Sequence, residues 1–219
     1  MSPALIFDLD GTLVDTAPDL LGALNAILRQ EGRSPVNHAD LRHLVGFGAR
    51  TMMLEAFKMT GASMDDARLP ALIDDFIAHY RMHIAVVSRP FPGVESTLAA
   101  LKTDGARMGV LTNKPQELTD LLLPAVNLAS YFSAIHGAGR FGYNKPDARV
   151  FHHVVEELGG GPALMIGDSA TDVATARAAG AKVILVSYGY TPEPATTLGG
   201  DAVIDDFSEL PALVKKLLA

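Results

Sequence analysis

The chain has 219 residues, with 18 Lys plus Arg against 25 Asp plus Glu, a formal net charge of −7, and neither Cys nor Trp. It is long enough to bury a sizeable core without staples, and an apolar fraction of 48% with 20% charged residues is an ordinary globular balance. The missing Cys excludes a disulfide framework, a thiolate nucleophile and Cys-ligated metal sites, and the acidic balance argues against nucleic acid as a partner.

The opening MSPALIFDLDG carries Asp8 and Asp10 inside its apolar run. It lacks the basic and apolar regions of a signal peptide, and no stretch reaches the roughly 20 apolar residues of a membrane helix. The expectation is a soluble cytoplasmic protein with no membrane partner, monomeric or homodimeric.

The first short apolar run, Ala4–Phe7, predicts a buried strand. Thr16-Ala17-Pro18-Asp19 predicts a helix start, with Thr16 as N-cap and an acidic residue three later. Leu20, Leu21, Leu24, Ile27 and Leu28 continue it as a helical stripe. Further helical stripes cover 38–45, 49–60 and 66–84, before Arg89-Pro90-Phe91-Pro92-Gly93 breaks the chain ahead of a helix at Val94–Lys102. About a hundred residues without a strand separate the first run from the next, far more than a normal connection. From there strands at Met108–Leu111, Ala134–His136, Ala163–Ile166, Val183–Val186 and Ala202–Ile204 alternate with helices at Gln116–Leu123, Arg149–Leu158, Asp172–Ala179 and Ser208–Leu218. That alternation predicts an α/β fold, a parallel sheet with helices on both faces. Residues 16–85 are expected to form an all-helical cap inserted into a catalytic core of 1–15 and 86–219. The hinges are expected near 13–16 and 84–92.

Ligands of open parallel sheets bind beyond the carboxyl ends of the strands. Those exits carry Asp8-Leu9-Asp10-Gly11-Thr12, Thr112-Asn113-Lys114, Asn144-Lys145-Pro146 and Gly167-Asp168-Ser169, with Asp172 further on. Each residue type suits phosphoryl transfer. Asp8 could attack phosphorus, and Asp10, projecting to the same side of an extended segment, could protonate the leaving oxygen and later deprotonate water. Asp8, Asp168 and the main-chain carbonyl of Asp10 offer hard oxygen ligands for Mg²⁺. Thr112 and Lys145 would hold the equatorial oxygens, and Gly11 would let the backbone approach the phosphate. Singly these motifs are weak. D-x-D-G often marks a turn, Gly167-Asp168-Ser169 can be a helix N-cap, and Lys145-Pro146 can open a helix. An EF-hand fails, because its sixth and twelfth positions would be Leu13 and Asp19. A receiver domain lacks the long helical insertion. The joint occurrence at successive exits is the specific signal.

On these motifs the chain resembles the haloacid dehalogenase superfamily of aspartate-nucleophile phosphotransferases, and within it the phosphoglycolate phosphatases. Ile6–Asp15 matches the first motif, Thr112-Asn113 the second, Lys145 the third, and Gly167-Asp168-Ser169 with Asp172 the fourth. The resemblance implies a Rossmann-like core and a helical cap, Asp8 as nucleophile and Asp10 as general acid/base. It implies Mg²⁺ on Asp8, Asp168 and the Asp10 carbonyl, with Ser169 and Asp172 supporting from behind. Thr12 and Asn113 would line the phosphate. Leu44-Val45-Gly46-Phe47-Gly48-Ala49 matches a cap loop, making Gly46, Gly48 and Arg50 candidates for substrate contact; a plain helix end followed by a new helix start reads equally well there. Asp147-Ala148 stands where relatives commonly carry Pro or Glu-Pro, a local departure. The implied activity is Mg²⁺-dependent hydrolysis of a small phosphorylated metabolite, first 2-phosphoglycolate. Another small phosphate or pyrophosphate as substrate, a sugar phosphomutase on the same site, and a silent binding protein are the competing readings.

Two histidine pairs tempt but promise little. His79 and His83 have the spacing of zinc ligands on one helix face but lack the adjacent Glu of a metalloprotease, and are expected to face solvent. His152-His153 is expected to pack or cap. The cap methionines Met52, Met53, Met59, Met64 and Met82 read as helix packing, or as an adaptable pocket wall or dimer surface.

Overall fold

The strand runs are apolar at nearly every position because both faces of the sheet are covered. In the computed structural model, which describes residues 2–37, 39, 45, 48–61 and 66–218, the main sheet takes in β1 (Ala4–Phe7), β4 (Arg107–Pro115), β5 (Ala134–Ala138), β6 (Ala163–Gly167), β7 (Lys182–Val186) and β8 (Ala202–Ile204). All of its pairings are parallel and the order is β5-β4-β1-β6-β7-β8. Side chains alternate between two apolar layers. Leu5 and Phe7 join one with Val110, Ile166, Ile184 and Phe207; Ala4 and Ile6 join the other with Val154, Met165, Val183 and Leu185. The helices α4 (Val94–Thr103), α5 (Gln116–Ala125), α6 (Ala148–Glu157), α7 (Ala170–Ala178) and α8 (Leu210–Leu218) cover these faces, within a few residues of the predicted bounds.

The order has a functional consequence. From β1 the chain builds outward through β4 and β5, then crosses back to β6 on the other side of β1. The direction of winding therefore reverses at β1, and a crevice opens at its carboxyl end. Asp8 begins in that crevice, its N–H donating to the Ile166 carbonyl at 2.9 Å.

Between β1 and β4 lie α1 (Ala17–Gln30), α2 (Gly48–Met59) and α3 (Leu69–Met82). Their apolar stripes share a separate cluster of Leu24, Ile27, Met53, Phe57, Phe76 and Tyr80, which Leu118 of α5 joins from the core side. Met52 and Met53 are packed inside, whereas Met59 and Met82 are exposed. Met64 and most of the stripe at 38–45 lie outside the described residues. Among the described residues no helix is long and apolar enough to cross a membrane.

Two expectations fail in this segment. The strand-free interval contains a small antiparallel ladder, β2 (Val14–Asp15) against β3 (Arg89–Pro90), where the chain leaves and re-enters the sheet region. Two-residue strands are too short to leave a period. Thr16 does stand at the start of α1, but its buried hydroxyl makes no cap hydrogen bond and has no partner among the described residues. The N–H groups of Thr16 and Ala17 donate instead to the Tyr190 hydroxyl, at 2.7 and 2.9 Å. Asp19 turns away from the cap. It accepts from Val87 N–H at 3.0 Å, Ser88 N–H at 2.7 Å and Ser88 Oγ at 2.6 Å, stapling the first turn of α1 to the returning strand.

Removing that staple leaves buried donors unsatisfied, each costing about 1–3 kcal/mol. Asp19→Ala should therefore destabilise the protein by about 3 kcal/mol. That corresponds to a fall in Tm of roughly 6–12 °C for a chain of this size, checked by calorimetry.

Candidate active site

β1, β4 and β6 are adjacent, so their ends deliver Asp8, Thr112 and Asp168 to one rim. Asp8, Asp168 and Asp172 bring carboxylate oxygens within 4.8 Å of one another. Lys145 stands beside them with 2% of its side chain exposed, its Nζ 3.0 Å from Asp8 Oδ1 and 2.7 Å from Asp172 Oδ1. The other oxygen of Asp172 accepts from Asp168 N–H, Ser169 N–H and the Ser169 hydroxyl, at 3.2, 3.0 and 2.7 Å. Ser169 and Asp172 thus form a reciprocal cap on α7. The cap and the site are one structure, since the residue that caps the helix also holds Lys145.

Asp168 is fixed from two further directions. The Thr12 hydroxyl donates to its Oδ1 at 2.9 Å and the Tyr190 N–H to its Oδ2 at 2.8 Å. Close packing here requires glycine. A Cβ on Gly11, whose φ is +84°, would lie 2.6 Å from Asp168 Oδ2. One on Gly189 would lie 2.2 Å from the Asp168 Cβ. Gly11 and Thr12, expected beside the phosphate, therefore both bear on Asp168.

Burial dominates the electrostatics. It pushes Asp8 up to about 6, with Lys145 opposing and Asp172 adding to the rise. Burial, Asp172 and Asp8 together push Asp168 up to about 8. Burial alone would depress Lys145, but Asp172 and Asp8 outweigh it and hold the ammonium above its ordinary value. Crowded, desolvated carboxylates with hard oxygen donors fit a divalent cation, which would relieve their repulsion. Asp172 is the most heavily engaged, with Lys145 on one oxygen and three donors on the other, whereas Asp168 has a single donor on each oxygen. Asp8 has both of its protein contacts, from Leu9 N–H and Lys145, on Oδ1, which leaves Oδ2 without a partner among the described residues. Asp10 stands outside this group and pairs with Lys114 through both oxygens, at 3.1 and 3.2 Å.

Thr112 is buried, its Oγ1 accepting from Lys114 N–H at 3.2 Å, and Asn113 donates from Nδ2 to the Lys145 carbonyl at 3.1 Å. Asn113 so braces the loop that carries the lysine. Asp147 caps α6 through Arg149 N–H, which accounts locally for the departure after Pro146. Gly48 and Arg50 are exposed in the first turn of α2, and no hydrogen bond or ion pair among the described residues ties Arg50 to this site. Gly46 lies outside the described residues. His79 and His83 stack with ring centroids 4.3 Å apart, His83 exposed to solvent as expected and His79 half-buried; of the other pair His152 is exposed, and His153 meets the Tyr143 hydroxyl and the Phe141 ring.

Sequence reasoning missed Tyr190 and Gly189, although both follow the exit of β7 on the same rim. It also left Lys114 without a role, although Lys114 and Thr112 share one face of an extended strand.

A family model described as haloacid dehalogenase-like hydrolase matches residues 5–186. A phosphoglycolate phosphatase of Caulobacter vibrioides is 48% identical over 216 residues, covering 98% of this chain and 91% of the relative. One of Agrobacterium fabrum is 44% identical over 222 residues, covering 100% and 95%. A crystal structure of a predicted phosphoglycolate phosphatase from Haemophilus somnus 129pt superposes with a TM-score of 0.90 at 28% identity, covering 97% of this chain and 98% of that one.

The packing at Gly189 is directly testable. Gly189→Ala should displace the Asp168 carboxylate and lower stability by about 1–3 kcal/mol, the ordinary cost of overpacking. A crystal structure of the variant with Asp168 still on the Tyr190 N–H would contradict this account.

Proposed function

The chain belongs to the haloacid dehalogenase-like hydrolases, and from that premise we propose that it is a Mg²⁺-dependent phosphomonoesterase working through a phosphorylated Asp8, with 2-phosphoglycolate as its substrate. The observation that carries the proposal is Asp8 itself. It sits at the reversal point of the sheet with one oxygen bound by Lys145 and Leu9 N–H and the other without a partner among the described residues. A carboxylate so held offers one lone pair to an incoming phosphorus and cannot rotate away from it. The name shared by relatives at 48% and 44% identity supports phosphoglycolate as the substrate.

In the first half-reaction Asp8 forms a bond to phosphorus as the phosphorus–alkoxide bond breaks, and Asp10, carrying the proton taken from water in the preceding turnover, gives it to the departing oxygen. In the second, Asp10 takes a proton from water, whose oxygen attacks phosphorus and releases Asp8 and inorganic phosphate. Thr112 and Lys145 hold the equatorial oxygens through both steps. Asp8, Asp168 and the Asp10 carbonyl would hold Mg²⁺, which when bound supplies charge neutralisation at the phosphoryl oxygens. Asp172 and Ser169 keep Lys145 and Asp168 in place. Thr12 does the same for Asp168.

We take residues 16–85 as a cap over a core of 1–15 and 86–219. Gly46, Gly48 and Arg50 would be its contribution to substrate choice when it closes and excludes water.

A panel of small phosphomonoesters assayed for phosphate release with Mg²⁺ should give the highest kcat/KM for 2-phosphoglycolate. A sugar phosphate isomerised without phosphate release would instead indicate a mutase. Asp8→Asn should keep its fold and lose turnover completely. Chelation should also abolish activity and Mg²⁺ should restore it; turnover that persists in either case rules out this mechanism.

A further inference from the structure

Lys114 is a second buried lysine at the same rim, and nothing in the reaction above uses it. Its side chain is 3% exposed. Its ammonium touches two groups from different parts of the molecule, both carboxylate oxygens of Asp10 and the Tyr80 hydroxyl of α3, the latter at 2.9 Å. It also lies 4.6 Å from the centroid of the Tyr80 ring, a cation–π contact. Tyr80 is wholly buried and stacks on Phe76 in the helical cluster, so its position is set by the packing of α3. Its hydroxyl is the polar tip of that cluster, aimed at the core.

A buried ammonium is costly unless paired and hydrogen-bonded. Here the pairing is specific. A two-oxygen contact fixes the rotation of the Asp10 carboxylate about its own axis, which a single contact would leave free. The second partner comes from the helical segment, so the same ammonium registers where α3 lies.

We propose that Lys114 is a positioning residue for Asp10 and that Tyr80 makes this positioning depend on the seat of α3. This rests on the role given to Asp10 above. Lys114 transfers no proton and bonds to no reacting atom. It holds the carboxyl group that in its protonated form gives a proton to the leaving oxygen, and Tyr80 keeps the ammonium aligned when α3 is docked.

The test uses Lys114→Met and Tyr80→Phe in the full chain with Mg²⁺. Three substrates are compared: 2-phosphoglycolate, ethyl phosphate and p-nitrophenyl phosphate, whose leaving group departs without a proton. General acid catalysis is worth about 10²–10⁴ in rate. Lys114→Met should therefore lose at least about tenfold more kcat on both alkyl esters than on p-nitrophenyl phosphate, and Tyr80→Phe should show the same pattern at smaller size. In a crystal structure of Lys114→Met, Asp10 should leave its rotamer while Asp8 and Asp168 keep theirs.

Equal losses on all three substrates would mean a merely structural lysine and overturn the proposal. A raised KM confined to 2-phosphoglycolate would overturn it too, assigning Lys114 to the substrate carboxylate. An unchanged Asp10 rotamer would overturn it independently of any assay. A wild-type enzyme inactive on all three esters would sink the phosphatase reading instead, and the crystallographic result would still decide the orientation of Asp10.

Discussion

Lys145 holds two carboxylates at once, with almost none of its own surface in water. Much of the architecture around the sheet's reversal point follows from that contact. A buried ion pair gains little over an apolar core unless every remaining polar atom is also satisfied. Here most of the remaining atoms are satisfied, largely by backbone, and Asp8 Oδ2 is the one left to the rim among the described residues. Asp172 takes two N–H groups and a hydroxyl at the start of α7, Asp168 takes the N–H of Tyr190, and Asp8 takes the N–H of Leu9. Those donors come from turns that immediately follow β1, β6 and β7. The sheet order is therefore what makes the charge cluster affordable, because only adjacent strand ends can supply so many fixed donors to so small a volume.

The same economy links the core to the helical segment. Tyr190 gives its N–H to Asp168, accepts the first N–H groups of α1 on its hydroxyl, and donates to Asp15 at 2.7 Å. One residue thus spans from the carboxylate cluster, through its main chain, to the start of α1, through its hydroxyl. Asp19 fastens the returning strand to α1, and Leu118 lends the core's α5 to the apolar cluster of α1–α3. The connection is polar where the chain crosses and apolar where the helices lie against the core.

Much of this was legible in the sequence, for a physical reason. A strand buried on both faces must be apolar throughout, so Ala4–Phe7 and its successors stand out, and the polar residue that ends each run marks the rim. Reading the rim found Asp8, Asp10, Thr112, Lys145 and Asp168. What stayed hidden acts through geometry that composition does not encode. Thr16-Ala17-Pro18-Asp19 has the form of a capping sequence, yet tertiary donors at Val87 and Ser88 won Asp19, and Tyr190 took the cap. The ladder of Val14–Asp15 with Arg89–Pro90 is too short for any period to show. Gly189 looks like an ordinary turn residue until the Asp168 Cβ is found where its own side chain would go.

The net charge of −7 also takes on a local meaning. Charges more than about 10 Å away are largely screened at 0.1 M salt, so an anionic ligand responds to the rim and not to the whole surface. At the rim Asp8, Asp10, Asp168 and Asp172 face Lys145 and Lys114. Four carboxylates against two ammonium groups leave an excess of two negative charges, the charge that one divalent cation cancels. Burial and the neighbouring Asp172 and Asp8 push Asp168 up to about 8, so the cluster itself disfavours its full negative charge. With a divalent cation bound, the charge of the four carboxylates would be largely offset and both lysines would keep their pairings. An anionic ligand would then meet a rim with little net repulsion. The acidic composition and an anionic substrate are compatible for that reason.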